Sequence, residues 1–168
     1  MARCGFSILW MAIWGLAATL LSAAIAPPAA NASETHAGYY YPTPQTQEVY
    51  VSASPVNEHA TPRSRAAFAV GMADRQSKLN YPPDFHLFVK GENLEKLIIV
   101  AVGSNRYNTL YRLRALLASM TALARGSPMF AQATNPHRLN FFDFCKMMGF
   151  TQITVTDGDR LAHRILIR

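Results

Sequence analysis

The stretch "LIIVAVGSNRYNTLYRLRALL", Leu97 to Leu117, sets an apolar run against one glycine, an arginine and a helical pattern. A strand that runs through a tight loop into a helix N-terminus is a layout in which backbone N–H groups hold a phosphate, and Arg106 stands where it could attract that anion. The rest of the chemistry is missing. A Walker-type loop needs several glycines so that N–H groups turn inward, and a Lys-Ser/Thr pair for phosphate and magnesium; "VAVGSNRYNT" has one glycine and no lysine. A dinucleotide loop needs glycines at its first, third and sixth positions, which are also absent. Neither a nucleotide nor any other cofactor is expected.

Other reactive residue types lack a spacing that would make them a site. His36, His59, His86, His137 and His163 never stand at the i, i+4 spacing of a helical zinc pair, so no metal ligand is assigned. "TDGDR" has two carboxylates around a glycine but lacks the third carboxylate and later glutamate of a calcium loop. Ser104, His86 and Asp143 have no Gly-x-Ser-x-Gly elbow to expose a nucleophile. Cys145 with His137 or His163 is a conceivable thiol–base pair, yet Phe144 and Met147 around it suit a buried thiol better than an accessible one. No catalytic residue is assigned. Arg106, Arg112 and Arg114 are the binding candidates, with a solvated helix face as the alternative.

The N-terminus carries the most direct functional information. Arg3 precedes an uncharged, mostly apolar run, residues 6–26, followed by "PPAANASE", the layout of a secretory signal. Ala30 and Ala32 frame a small-residue cleavage site, making Ser33 the expected mature N-terminus. An uncleaved segment 6–26 would instead anchor the chain, its length being near the roughly 20 residues that span a bilayer. Either way the body is expected outside the cytoplasm, in the periplasm or the extracellular space.

Removing residues 1–32 from the 168 leaves 136, enough for one domain, and lowers the formal charge from +6 to +5 through loss of Arg3. The remaining basic residues are scattered without a run, so nucleic acid is not an expected partner. An envelope protein, a polymer or a membrane surface fits better.

Along the chain, residues 33–62 read as an extended proline-bearing linker with a short strand candidate at 48–52, and 63–168 as one domain. Within that domain, Arg65 to Met72 and Phe85 to Lys90 are strand candidates; the latter joins Leu94 to Val102 through "GEN", a hairpin-length loop. The continuous apolar run Leu97 to Val102 should be a central strand. Leu110, Leu113, Leu117, Met120 and Ala124 align on one face of a helix over residues 108–125, with Asn108 as N-cap. A second helix is signalled by "NFFDFCKMMG", capped by Asn140 and exited through Gly149. The chain then ends in a hairpin turned by Asp-Gly, with Ile153 and Val155 inward and Thr154 and Thr156 outward. The expected fold is α+β: a mainly antiparallel sheet, two helices packed on one face and a C-terminal β-hairpin.

The segments "VYVS", "FVKGENLEKLIIV", "NTLYRLRALLASMTALAR", "FFDFCKMMGFTQITVTDGD" and "HRILIR" resemble a group of small exported bacterial proteins of unknown function, over most of residues 47–168. Some members of that group carry the label molybdopterin-guanine dinucleotide biosynthesis protein A. The nucleotidyltransferase behind that label opens with a "LAGGxSxRMGxxK" type segment that grips GTP. This chain has no double glycine, and Lys96, Arg106 and Asp157 stand outside such a motif, so the resemblance transfers no site residue. The expected function is that of an exported envelope protein working as a non-catalytic binding module. The alternative is an enzyme, either that nucleotidyltransferase or a cryptic envelope hydrolase.

Overall fold

The computed structural model describes residues 41–103, 105–127, 130, 133 and 135–168. The expected signal segment with its cleavage residues Ala30, Ala32 and Ser33, the alternative anchor at 6–26 and the first part of the expected linker lie outside the described residues.

The apolar run after Lys96 forms β3 (Lys96–Ala101), in which Leu97, Ile98 and Ile99 are all buried. It pairs antiparallel with β2 (Phe85–Lys90) and parallel with β4 (Gln152–Thr156). Next, β5 (Ala162–Ile167) runs antiparallel to β4, and β1 (Thr46–Tyr50) lies parallel to β5 at the edge. The order is β1-β5-β4-β3-β2. The α+β class stands, but the sheet is mixed rather than mainly antiparallel. Its physical reason is the connection from β3 to β4, which is helical and long enough to bring the chain back to the same end, as parallel pairing requires.

Three α-helices stand among the described residues, one more than the sequence suggested. Residues 65–72, expected as a strand, belong to α1 (Pro62–Ser77). Local chemistry upstream decides it: Thr61 and Ser64 form a capping box, and Pro62 occupies the first turn, where its missing N–H costs nothing. Arg65, Ala69 and Met72 are then buried at the four- and three-residue spacing of a helix.

Helix α2 (Leu110–Arg125) buries Leu113, Leu116, Leu117, Met120 and Ala124. Its N-cap is Thr109 rather than Asn108, since the Thr109 hydroxyl accepts the Arg112 N–H at 3.3 Å. Helix α3 (Phe141–Met147) has only 7 residues, too short to persist alone. Asn140 and Asp143 form its capping box, and Gly149 leaves it at φ +77°.

Two details of the C-terminal pair differ from the sequence expectation. The last ladder pair is Thr156 with Ala162, so the loop holds residues 157–161 rather than a two-residue type I′ turn. Asp157 Oδ1 organises it by accepting the N–H groups of Asp159, Arg160 and Leu161 at 3.0, 3.0 and 2.9 Å. Thr154 and Thr156 are buried instead of outward and solvated, because β4 is the middle strand of five and neighbours crowd it from both sides.

Part of the expected linker belongs to the domain. Beyond β1, the Ser52 N–H donates to the Arg168 carbonyl and the Asn57 N–H to that of Met147, both at 2.9 Å. The core lies between the helices and one sheet face, where Phe68 of α1 meets Phe144 of α3 with ring centroids 5.1 Å apart. Beneath that layer the Arg65 guanidinium, in a residue only 6% exposed, donates to the carbonyls of Asn93, Met148 and Ala60. It joins α1 to the β2–β3 turn and to the end of α3.

Candidate functional site

The loop after β3 closes on itself. Gly103 takes φ +91°, and the N–H groups of Arg106 and Tyr107 both donate to its carbonyl at 2.9 and 3.2 Å. Donors spent in this way are not turned toward a phosphate. Arg106 pairs with Asp84 and lies over the Tyr107 ring, 5.2 Å from its centroid. Arg112 donates to the carbonyls of Asn105 and Arg106 and to Asn108 Oδ1, fastening the loop to the first turn of α2. Both arginines border a hollow of about 490 Å³ with Ala115 and Ser119. Burial raises the Tyr107 pKa, with the Asp84 carboxylate adding to it and Arg106 opposing it.

Arg114 goes elsewhere. Residues two apart on a helix do not share a face, and Arg114 reaches across to an ion pair with Glu48 of β1. The three arginine candidates therefore do not form one site. Arg114 borders a cleft of about 720 Å³ bounded by β1, α2 and α3, with Leu117, Ala118, Ala122 and Phe142 as its apolar lining. Arg125 stands at the far end of the α2 wall, with Thr121 and Asn140 as further polar lining.

Strand β1 supplies a row of polar groups beside that cleft. Thr46, Glu48 and Tyr50 alternate onto the helix-bearing side of the sheet. Thr46 Oγ1 lies 2.7 Å from Nδ1 of His163, a residue only 2% exposed. Glu48 Oε1 lies 3.2 Å from His163 Nε2, an ion-pair distance without hydrogen-bond alignment. A neutral imidazole here best carries its proton on Nε2, facing the carboxylate, with Nδ1 accepting from the threonine hydroxyl; the other tautomer sets a lone pair against the carboxylate. Further along, the Tyr50 hydroxyl accepts from Asn140 Nδ2 at 2.7 Å and donates to Asp143 Oδ1 at 3.2 Å, and the Ser52 hydroxyl donates to the same oxygen at 2.7 Å. Burial raises the Tyr50 pKa; the Asn140 hydrogen bond opposes this and the Asp143 carboxylate adds to it.

The order Thr46 hydroxyl, His163 imidazole, Glu48 carboxylate is that of an activated nucleophile, although neither Thr46 nor His163 borders the cleft. The conceivable pairing of His163 or His137 with Cys145 does not form. The thiol is fully buried, burial pushes its pKa well above the usual range, and the partners of the His163 ring are Thr46 and Glu48.

Sequence reasoning passed over Glu48, Tyr50, Thr46 and Asn140 as site residues. For the three on β1 the signal was the alternation in "EVYVS", where Glu48, Tyr50 and Ser52 alternate with Val49 and Val51, with Thr46 in the same phase; Asn140 reads in the sequence only as a helix cap. Among the described residues, no group of three His, Cys, Asp or Glu side chains could hold a metal ion, and no helix is long and apolar enough to cross a membrane. No family model, curated protein or solved structure matches the chain.

Proposed function

We propose that this chain is an exported envelope protein that acts by non-covalent binding, with the cleft between β1, α2 and α3 as its working surface. The cleft itself carries the reading: an apolar lining of Leu117, Ala118, Ala122 and Phe142 combined with the guanidiniums of Arg114 and Arg125. Pockets of this size with a few placed polar groups are typical small-ligand sites. Export rests on the N-terminal layout and on the resemblance to small exported proteins. The nucleotidyltransferase alternative is weakened by the self-closed Gly103 loop and by the missing Gly-rich segment.

One observation favours a second reading, an envelope hydrolase: the Thr46–His163–Glu48 order, in which the imidazole would take the hydroxyl proton as Thr46 attacks an ester carbonyl and pass it to the departing alcohol, water then releasing the acyl group from Thr46.

Thermal shift of the purified protein separates these readings. Stabilisation by envelope extract, reduced in an Arg114→Ala, Arg125→Ala double variant, is the expected result. Stabilisation by GTP but not by extract would move the function to nucleotide chemistry. Ester hydrolysis abolished by Thr46→Val would move it to the second reading.

A further inference from the structure

We infer that the cleft takes a single-chain amphipathic anion, with a phosphate or carboxylate head at Arg125 and an apolar tail along α2 toward Arg114. This rests on the binding reading above and names its ligand class. The two ends of the cleft are electrostatically unlike. Arg114 is already paired with Glu48. Among the described residues Arg125 donates to the His137 carbonyl alone, at 3.3 Å, and no carboxylate pairs with it. Of the two arginines, its positive charge is the one left uncompensated among these residues.

Neutral donors stand beside it. Thr121 Oγ1 accepts the Phe141 N–H at 3.2 Å, which leaves its own O–H to donate. Asn140 Nδ2 gives one N–H to Tyr50, and an amide nitrogen has two. Both residues border the cleft together with Arg125.

Between the two arginines the α2 wall is apolar except for Thr121. Ala118 and Ala122 are exposed and small, which leaves room over them, and Phe142 lines the α3 side, its ring centroid 4.9 Å from that of Tyr50. Arg125 lies eleven positions after Arg114, about 16 Å along a helix. That is room for a short acyl chain lying along the axis. A free monomer is the occupant rather than a bilayer. The site is a recess with one uncompensated cation, whereas membrane surfaces are held by clusters of basic residues, and the basic residues here are scattered.

The test is titration calorimetry of the full protein with decyl phosphate below its micelle concentration, with decanol and phosphatidylglycerol vesicles as comparison arms. Saturable one-to-one binding of decyl phosphate is expected, at least tenfold weaker in Arg125→Gln, with an unchanged melting midpoint. Ala122→Glu changes an exposed helix position and adds a like charge beside the tail, so it is expected to weaken binding to a similar degree. Equal binding of decanol, undiminished binding by Arg125→Gln, or tighter binding to the vesicles than to the monomer would overturn the inference. A protein stabilised by envelope extract yet indifferent to decyl phosphate would overturn the ligand class and leave the binding reading standing; indifference to both would end both.

Discussion

Glu48 and Arg114, 66 positions apart in the sequence, form an ion pair that joins the edge strand β1 to helix α2. The same carboxylate reaches His163 Nε2 at 3.2 Å, so one side chain stands between a guanidinium and a buried imidazole.

Replacing Glu48 with Gln separates its two effects. The carboxylate side chain is 34% exposed, so losing the pair costs about 1 kcal/mol or less. The same change leaves Arg114 without its counter-charge, so anionic ligands are expected to bind the cleft more tightly. Denaturant melts and ligand titration of the same variant read the two effects; weaker anion binding would mean that Glu48 serves to hold Arg114 in place rather than to offset its charge.

Arg65 is expected to matter for stability rather than for function. Its buried guanidinium satisfies three backbone carbonyls from separate segments, and no carboxylate pairs with it among the described residues. Arg65→Met fills similar space but strands those acceptors, at a cost of about 3 kcal/mol. Urea unfolding checks it, and a loss below about 0.5 kcal/mol, the size of an ordinary surface change, would show that water replaces the side chain.

Cys145 gives a pH dependence with a definite sign. Burial pushes its thiol pKa well above the ordinary thiol value, so the folded protein retains the proton while the unfolded chain releases it near pH 9. The resulting stability is whole below about pH 9 and falls as pH rises toward the folded pKa. Cys145→Ala should flatten part of that alkaline decline, and iodoacetamide at pH 8 should label the native thiol only as fast as the protein opens. Prompt labelling of the native protein would show an accessible thiol.

The export expectation has its own direct check. Protein recovered from fractionated cells should begin at Ser33, after the Ala30-Asn31-Ala32 site. A full-length soluble species in the cytoplasm would contradict it.

The elements legible in the sequence were those whose signals are local. Asn140 spelled a helix cap, Gly149 a left-handed exit, and the leucines of α2 a helical stripe, and each folds as written. In α1 the Thr61-Pro62-Arg63-Ser64 cap carried the information, and the alanines after it favour a helix by propensity, whereas the strand reading followed only the short apolar run. Parallel pairing of β1 with β5 depends on residues more than a hundred positions apart, and no turn chemistry announces it. The cleft follows from that pairing, which is why Arg114 could be named from its helix face but Glu48, His163 and Asn140 could not be placed beside it.

The most direct measurement is amide chemical-shift mapping of the folded protein as envelope extract is added. The account predicts perturbations grouped at Arg114, Thr121, Ala122, Arg125 and Phe142, around the cleft. Perturbations grouped instead at Gly103 to Tyr107, or at Thr46 and His163 with turnover of an ester, would contradict it.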